Sequence, residues 1–186
     1  LVGAPPARAE RLTLKVYTTV DGLANNTVSR VVADSRGFLW FCTANGLSRF
    51  DGYTFTNYGR DEGLPSAMVS DLLETRAGAY WIATDTGLVR LNPLGAAPAR
   101  FTTYTPDTFD RARHMRTLFE DAAGTLWAGT MQGLYRVSEG ADAHGGVRFT
   151  FEDIERRGRE GASAIAYVTE DRRGGCDHRE HGGVGD

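Results

Sequence analysis

Cysteine is scarce in this sequence. The only two in 186 residues, Cys42 and Cys176, are too few for the disulfide framework of a small secreted scaffold. A surplus of positive charge is missing as well: 21 Lys and Arg stand against 24 Asp and Glu, scattered, for a net charge of −3. That balance leaves no basic patch for a nucleic-acid partner. No apolar run approaches the roughly 18 residues of a membrane span, so any membrane attachment would rest on a helix downstream of this stretch. The motifs G-x-S-x-G, P-loop and H-E-x-x-H are absent too. Sustained helical periodicity is also lacking. "DTFDRARHMRTLFED" comes nearest, and its second half aligns with strands elsewhere. What remains is 41% hydrophobic and 24% charged residues, the composition of a soluble globular domain with a sizeable core.

The first residues carry a different signal. "LVGAPPARAE" contains Ala7-Arg8-Ala9, the A-x-A spacing that signal peptidase accepts. Residues 1–9 therefore read as the remnant of a secretory signal, against the plainer alternative of an Ala/Pro-rich terminus.

Beyond residue 10 the chain repeats itself. "GFLWFCTANGLSRFDG" from Gly37 returns as "GAYWIATDTGLVRLNP" from Gly78 and as "GTLWAGTMQGLYRVSE" from Gly124. A fainter fourth anchor is Gly174, so the spacings are 41, 46 and 50 residues. Three places after each of the first three anchors stands Trp (Trp40, Trp81, Trp127), and six places after it Thr (Thr43, Thr84, Thr130). Gly-Leu then follows at Gly46, Gly87 and Gly133. Nine places before each anchor lies an apolar residue: Val28, Val69, Met115 and Ile165. Eleven before the first three of these lies a tyrosine: Tyr17, Tyr58 and Tyr104. Periods of this length mark solenoids and propellers.

Each copy reads as four short strands rich in β-branched, aromatic and aliphatic residues. In the second copy they are Val69 to Glu74, Tyr80 to Thr84, Leu88 to Leu91 and Phe101 to Tyr104. "DSRG", "TRAG", "DAAG" and "DRRG" are tight turns whose glycine can take positive φ. Four antiparallel strands per repeat make a propeller blade. The expectation is therefore an all-β chain of about three and a half blades over 10–174. Blade cores lie near 28–58, 69–104 and 115–154, with a partial one at 165–174. The three Trp residues are expected in equivalent, largely buried positions between neighbouring blades. Cys42, aligned with Ala83 and Gly129, is a small strand residue.

The pattern D-x-x-G-x-L-W-x-x-T-x-x-G-L-x-R resembles the two-component regulator propeller repeat, from roughly Leu12 to Gly174. The resemblance implies the periplasmic sensor region of a bacterial membrane-bound regulator, commonly a hybrid histidine kinase. In that family a membrane helix and an output domain follow, and a homodimer can form through the parent protein. It implies signal reception without chemistry in this segment. An exported propeller enzyme of lyase or hydrolase type, or a protein-interaction scaffold, stays open because fold does not fix function.

The fourth copy departs from the pattern. After "AIAYVTEDRRGG", the positions for Leu-Trp-x-x-Thr hold Cys176-Asp177-His178-Arg179-Glu180, although Gly183-Val184 returns in register. A local frame error or a degenerate gene end would explain a lost strand, so 175–186 reads as an aberrant, loosely attached tail. Fewer than four blades cannot close a ring, so an open arc with exposed strand edges is expected.

Candidate chemistry is thin. Cys176, His178 and His181 fit no closed four-ligand metal site, and neither metal nor cofactor is expected. Asp21, Asp61, Glu62, Asp71 and Asp107 show no pairing for acid–base work and read as loop charges. If the innermost strands begin at Val28, Val69 and Met115, the loops before them are "DGLANNT", "DEGLPSA" and "TPDTFDRARH". Their Asn25, Asn26, Ser66, Arg111, Arg113 and His114 are the candidate contacts for a small polar ligand such as a glycan. Ordinary turn chemistry accounts for the same residue types.

Overall fold

The structure, a computed structural model, describes residues 14–96, 99–106, 110–139, 147–152, 165–170 and 176–180; from Val147 on, description is mainly of the backbone. Its strands fall into three four-stranded antiparallel sheets and one two-stranded sheet. The first sheet holds β1 (Val28–Ala33), β2 (Leu39–Thr43), β3 (Gly46–Phe50) and β4 (Phe55–Tyr58). The second holds β5 (Val69–Glu74), β6 (Tyr80–Thr84), β7 (Gly87–Leu91) and β8 (Phe101–Tyr104). The third holds β9 (Met115–Glu120), β10 (Leu126–Thr130), β11 (Leu134–Glu139) and β12 (Val147–Glu152). β13 (Ile165–Glu170) and β14 (Cys176–Glu180) make the last. Within each sheet, strand order follows chain order. β5 packs on β1 and β2, β9 on β5 and β6, and β13 on β9 and β10. These are successive propeller blades, as the repeat predicts.

The recurring residues explain themselves at the hairpins. Asp34 accepts from the backbone N–H of Arg36 (3.0 Å) and Phe38 (2.9 Å) and from Trp40 Nε1 (2.9 Å). Asp121 does the same for Thr125 N–H (2.8 Å) and Trp127 Nε1 (2.9 Å). One carboxylate thus closes the first hairpin of the blade and aims its tryptophan. The repeated Thr closes the second. Its hydroxyl donates to the carbonyl of the glycine three residues on, at 2.7 Å in Thr43, 2.8 Å in Thr84 and 2.9 Å in Thr130. That glycine is needed twice over. Gly46 sits at φ +109°, and a Cβ there would stand 2.5 Å from the Tyr58 carbonyl oxygen of β4. The arginine of G-L-x-R lies across the ladder from the tryptophan, with the Arg49 and Arg90 guanidinium groups 5.9 and 5.4 Å from the Trp40 and Trp81 rings.

The core lies between blades. Trp40 packs among Tyr58 of its own sheet and Val69, Leu72, Tyr80 and Ile82 of the next, fully buried. Trp81 repeats this against Met115, Leu118, Leu126 and Ala128. Trp127 holds the equivalent ladder position but is only half-buried, against Phe119 and Leu134. Its burial is less complete than that of Trp40 and Trp81.

One further expectation is corrected. Cys176–Glu180 is a strand, paired to β13 with Thr169 opposite Asp177, just as Phe119 stands opposite Trp127. The backbone register of a blade therefore survives a sequence without the Leu-Trp-x-x-Thr pattern, since ladder hydrogen bonds do not depend on side-chain identity. The first half of "DTFDRARHMRTLFED" does make a helical turn, α1 (Asp110–Arg113), before β9 begins at Met115. Residues 1–9, Asp107, His181 and Gly183-Val184 lie outside the described residues.

Candidate functional site

In each blade the loop leading into the first strand and the hairpin between the second and third strands share one end of the sheet. Backbone bonds tie them: Ala44 N–H to Thr27 carbonyl (3.2 Å) in the first blade and Met131 N–H to His114 carbonyl (3.1 Å) in the third. Gly46 N–H reaches across the junction to Ala67 carbonyl (2.6 Å). The result is a loop face carried on rigid strands, where binding specificity is usually placed.

The candidate residues sit on this face and divide by what they already do. Asn25 Oδ1 accepts from Thr27 N–H (2.7 Å) and Asn26 Oδ1 from Thr19 N–H (2.8 Å); Asn25 is half-buried and Asn26 exposed. Ser66 is buried, donates to Asp85 and accepts from Met68 N–H (3.1 Å), so it fixes its loop instead of presenting a donor. Buried Ala112 seats α1 while Arg111 and Arg113 project to solvent, Arg113 beside Asp110 at 3.6 Å. His114 is half-buried at the start of β9. Asn25 and Asn26 lie on the first loop, Ser66 on the second, and the two arginines with His114 on the third.

Below this face the first strands of three blades meet at Asp71, which the sequence pattern marks as a loop charge. It is instead almost wholly buried. Its carboxylate faces Arg30 Nε of the first blade (2.9 Å) and accepts from its own neighbour Leu72 N–H (2.8 Å). From the third blade it accepts Leu118 N–H (2.9 Å) and Thr117 Oγ1 (3.3 Å). Burial pushes its pKa above the ordinary carboxylate value, against the pull of Arg30 and these donors. Arg30, Asp71 and Thr117 each stand seven places before their anchor glycine, a signal present in the repeat alignment. Ser29 stitches the same level, its hydroxyl 2.8 Å from Val69 carbonyl and 3.0 Å from Cys42 carbonyl. Asp21 and Glu62 prove to be turn acceptors, for Thr18 N–H (2.8 Å) and Gly59 N–H (2.7 Å). Cys42 is buried, which pushes its thiol pKa far up and keeps it unreactive.

These sheets, their inter-blade tryptophans and their loop face define a β-propeller repeat protein. Residues 22–45 match the family model described as two component regulator propeller. A 52-residue stretch is 38% identical to histidine kinase P4 of Formosa agariphila, covering 28% of this chain and 4% of that protein. Among solved structures, the extracellular domain of the hybrid two component system BT4673 from B. thetaiotaomicron aligns with a TM-score of 0.65 at 21% identity. The alignment covers 87% of this chain and 21% of that one. The corresponding domain of BT3049 from the same organism gives 0.54 at 18%, over 85% of this chain and 26% of that one. Virginiamycin B lyase from Staphylococcus aureus gives 0.59 at 19%, over 81% and 47%. At these identities the likenesses show the propeller fold. The chain spans a small part of the kinase and about a quarter or less of the two extracellular domains. No helix among the described residues is long and apolar enough to cross a membrane.

Proposed function

We propose that this chain is an extracytoplasmic, ligand-sensing propeller segment of a bacterial two-component regulator, without chemistry of its own. The observation that carries this reading is the family match at residues 22–45, within a chain whose residue pattern recurs in register at the later anchors. On this reading the chain works in the periplasm, and the loop face receives a small polar ligand, a glycan or a molecule of similar hydrogen-bonding character. Asn25, Asn26, Arg111, Arg113 and His114 supply the contacts, and Ser66 holds its loop through Asp85. A rigid platform carrying amides and guanidinium groups suits a polyhydroxylated ligand, whose many weak hydrogen bonds need preset partners. The test is isothermal titration of the full chain against a panel of neutral and acidic oligosaccharides. Saturable binding weakened about tenfold (about 1.4 kcal/mol) by Arg111→Ala with His114→Ala is the expected result. Binding that ignores both substitutions would move the site off this face. The likeness to a lyase supports a second reading, an exported propeller enzyme, and turnover of any panel member by the purified chain would favour it.

A further inference from the structure

Between the second and third blades lies a cavity of about 480 Å³, at the end of the sheets opposite the loop face. The same place at the first junction is filled, and the residues that fill it follow from the repeat register. Asp34 accepts there from Trp40 Nε1 (2.9 Å) and from the Tyr80 hydroxyl of the next blade (3.0 Å). The Phe38 ring carries two guanidinium groups, Arg49 at 4.5 Å and Arg36 at 5.6 Å, and Arg36 also lies 5.3 Å from the Tyr80 ring.

At the second junction the places of Asp34, Arg36, Phe38 and Tyr80 are held by Thr75, Ala77, Ala79 and Leu126. A carboxylate, a guanidinium, a phenyl and a phenol give way to smaller groups, and that truncation opens the cavity. The rest of the frame is kept. Trp81 is fully buried at the cavity wall, and Arg90 stands 5.4 Å from its ring as Arg49 stands 5.9 Å from Trp40. Trp40 and Trp127 each donate their indole N–H to an aspartate, but no carboxylate stands at that place beside Trp81. Thr75 occupies it, and its hydroxyl oxygen accepts from Ala79 N–H (3.0 Å) within its own turn. Glu120, which the third blade contributes to the lining, is engaged by Arg76 through its N–H (2.8 Å) and Nε (3.4 Å).

We infer that this cavity is a binding site for a small aromatic carboxylate. The ligand's ring takes the place that Phe38 has at the first junction, against the Arg90 guanidinium, where a ring face and a cation attract. Its carboxylate takes the place of Asp34 and accepts from Trp81 Nε1, because a buried N–H gains most from a charged acceptor. The volume lies in the range of small-molecule sites. Ala77, Ala79, Gly124, Leu126 and Val137 make most of the remaining wall apolar, which suits a ring and not a sugar. The site is separate from the loop face, so neither reading depends on the other.

Nuclear magnetic resonance of the full chain, titrated with phenylacetate and benzoate, reads both affinity and place. Either acid should shift the Trp81 indole N–H resonance saturably and leave that of Trp40 unmoved. Benzyl alcohol, which lacks the carboxylate, should bind at least about tenfold more weakly. Cyclohexanecarboxylate, which lacks the aromatic face, should bind about threefold more weakly. Ala79→Phe fills the ring's place and Thr75→Asp restores the carboxylate, each with the residue that the first junction already holds, and each should weaken phenylacetate binding at least about tenfold. No saturable shift at Trp81 with either acid up to about 10 mM overturns the inference. Binding that survives both substitutions overturns it too, and benzyl alcohol binding as well as the acids would reduce the site to an apolar void.

Discussion

Replacing Trp81 with alanine removes the largest side chain from the junction between the second and third blades. The ring is fully buried, with Tyr104 at 5.9 Å on one side, the Arg90 guanidinium at 5.4 Å, and Met115, Leu118 and Leu126 of the next blade around it. Truncating a buried aromatic to alanine costs about 3–5 kcal/mol in lost transfer energy and residual cavity. For a chain of this size each kcal/mol moves the melting temperature by about 2–4 °C, so a fall of at least roughly 6 °C is expected. Trp127→Ala is the built-in comparison. Its ring occupies the same ladder position but is only half-buried against Phe119 and Leu134, so its loss should cost clearly less. Urea unfolding followed by far-ultraviolet circular dichroism would measure both, with the slope checked for two-state behaviour. Equal costs for Trp81 and Trp127, or an unchanged midpoint for Trp81→Ala, would refute the claim that inter-blade burial holds the repeat together.

Two further outcomes follow from the junctions. Burial pushes the Asp34 pKa up, but hydrogen bonds from Trp40, Phe38, Tyr80 and Arg36 outweigh it and leave the carboxyl below its ordinary 3.8; Asp121 is lowered in the same way. The stability they contribute is therefore full above that value and is lost as the pH falls through their depressed native pKa values. Asp34→Asn should lower the urea midpoint at pH 7 and shrink the loss seen between pH 5 and pH 2; an unchanged acid limb would count against it. Ala79→Phe addresses a cavity of about 480 Å³ between the second and third blades, lined by Ala77, Ala79, Trp81 and Arg90. At the first junction Phe38 fills the equivalent place, with Arg49 over its ring at 4.5 Å. The substitution should stabilise by about 1 kcal/mol, and a lowered melting temperature would show that the space cannot take the ring.

Strand boundaries are almost wholly legible in the sequence because each is punctuated by a turn whose residues recur. In the second blade the expected strands agree with β5 to β8 to within one residue. The second strand of the fourth copy is not legible, because the expectation depends on side-chain pattern and Cys176–Glu180 keeps the ladder without the pattern. Trp127 aligns with Trp40 and Trp81, but repeat alignment carries position and not how tightly a neighbour closes over it. Asp71 escapes for the opposite reason. A lone carboxylate in a strand looks like a surface charge until the fold brings Arg30, Thr117 and Leu118 N–H around it from two other blades. The loop candidates follow from topology, yet residue type alone does not reveal that Ser66 is committed to Asp85.

That distinction between committed and free residues bears on where function can reside. In the first two copies the recurring framework residues are already engaged structurally. Tryptophan fills a junction, threonine closes a hairpin, glycine admits a close backbone, and arginine covers a ring. Altering any of them for a ligand would weaken a contact that holds a blade. The glutamates at 74 and 120 are similarly engaged, Glu74 accepting from Ser35 N–H (2.6 Å) and Glu120 from Arg76 N–H (2.8 Å), each across a junction. On the proposed ligand-sensing reading, recognition falls to positions where the copies differ and the side chain is exposed. In the leading loops these are Asn25 and Asn26 in the first copy and Arg111 and Arg113 in the third, whose counterparts in the other loops are unrelated in type. Within the loops, Leu64, Ser66, Ala67 and Ala112 are themselves tied to the core or across a junction, so a change of ligand is confined to the exposed positions between them.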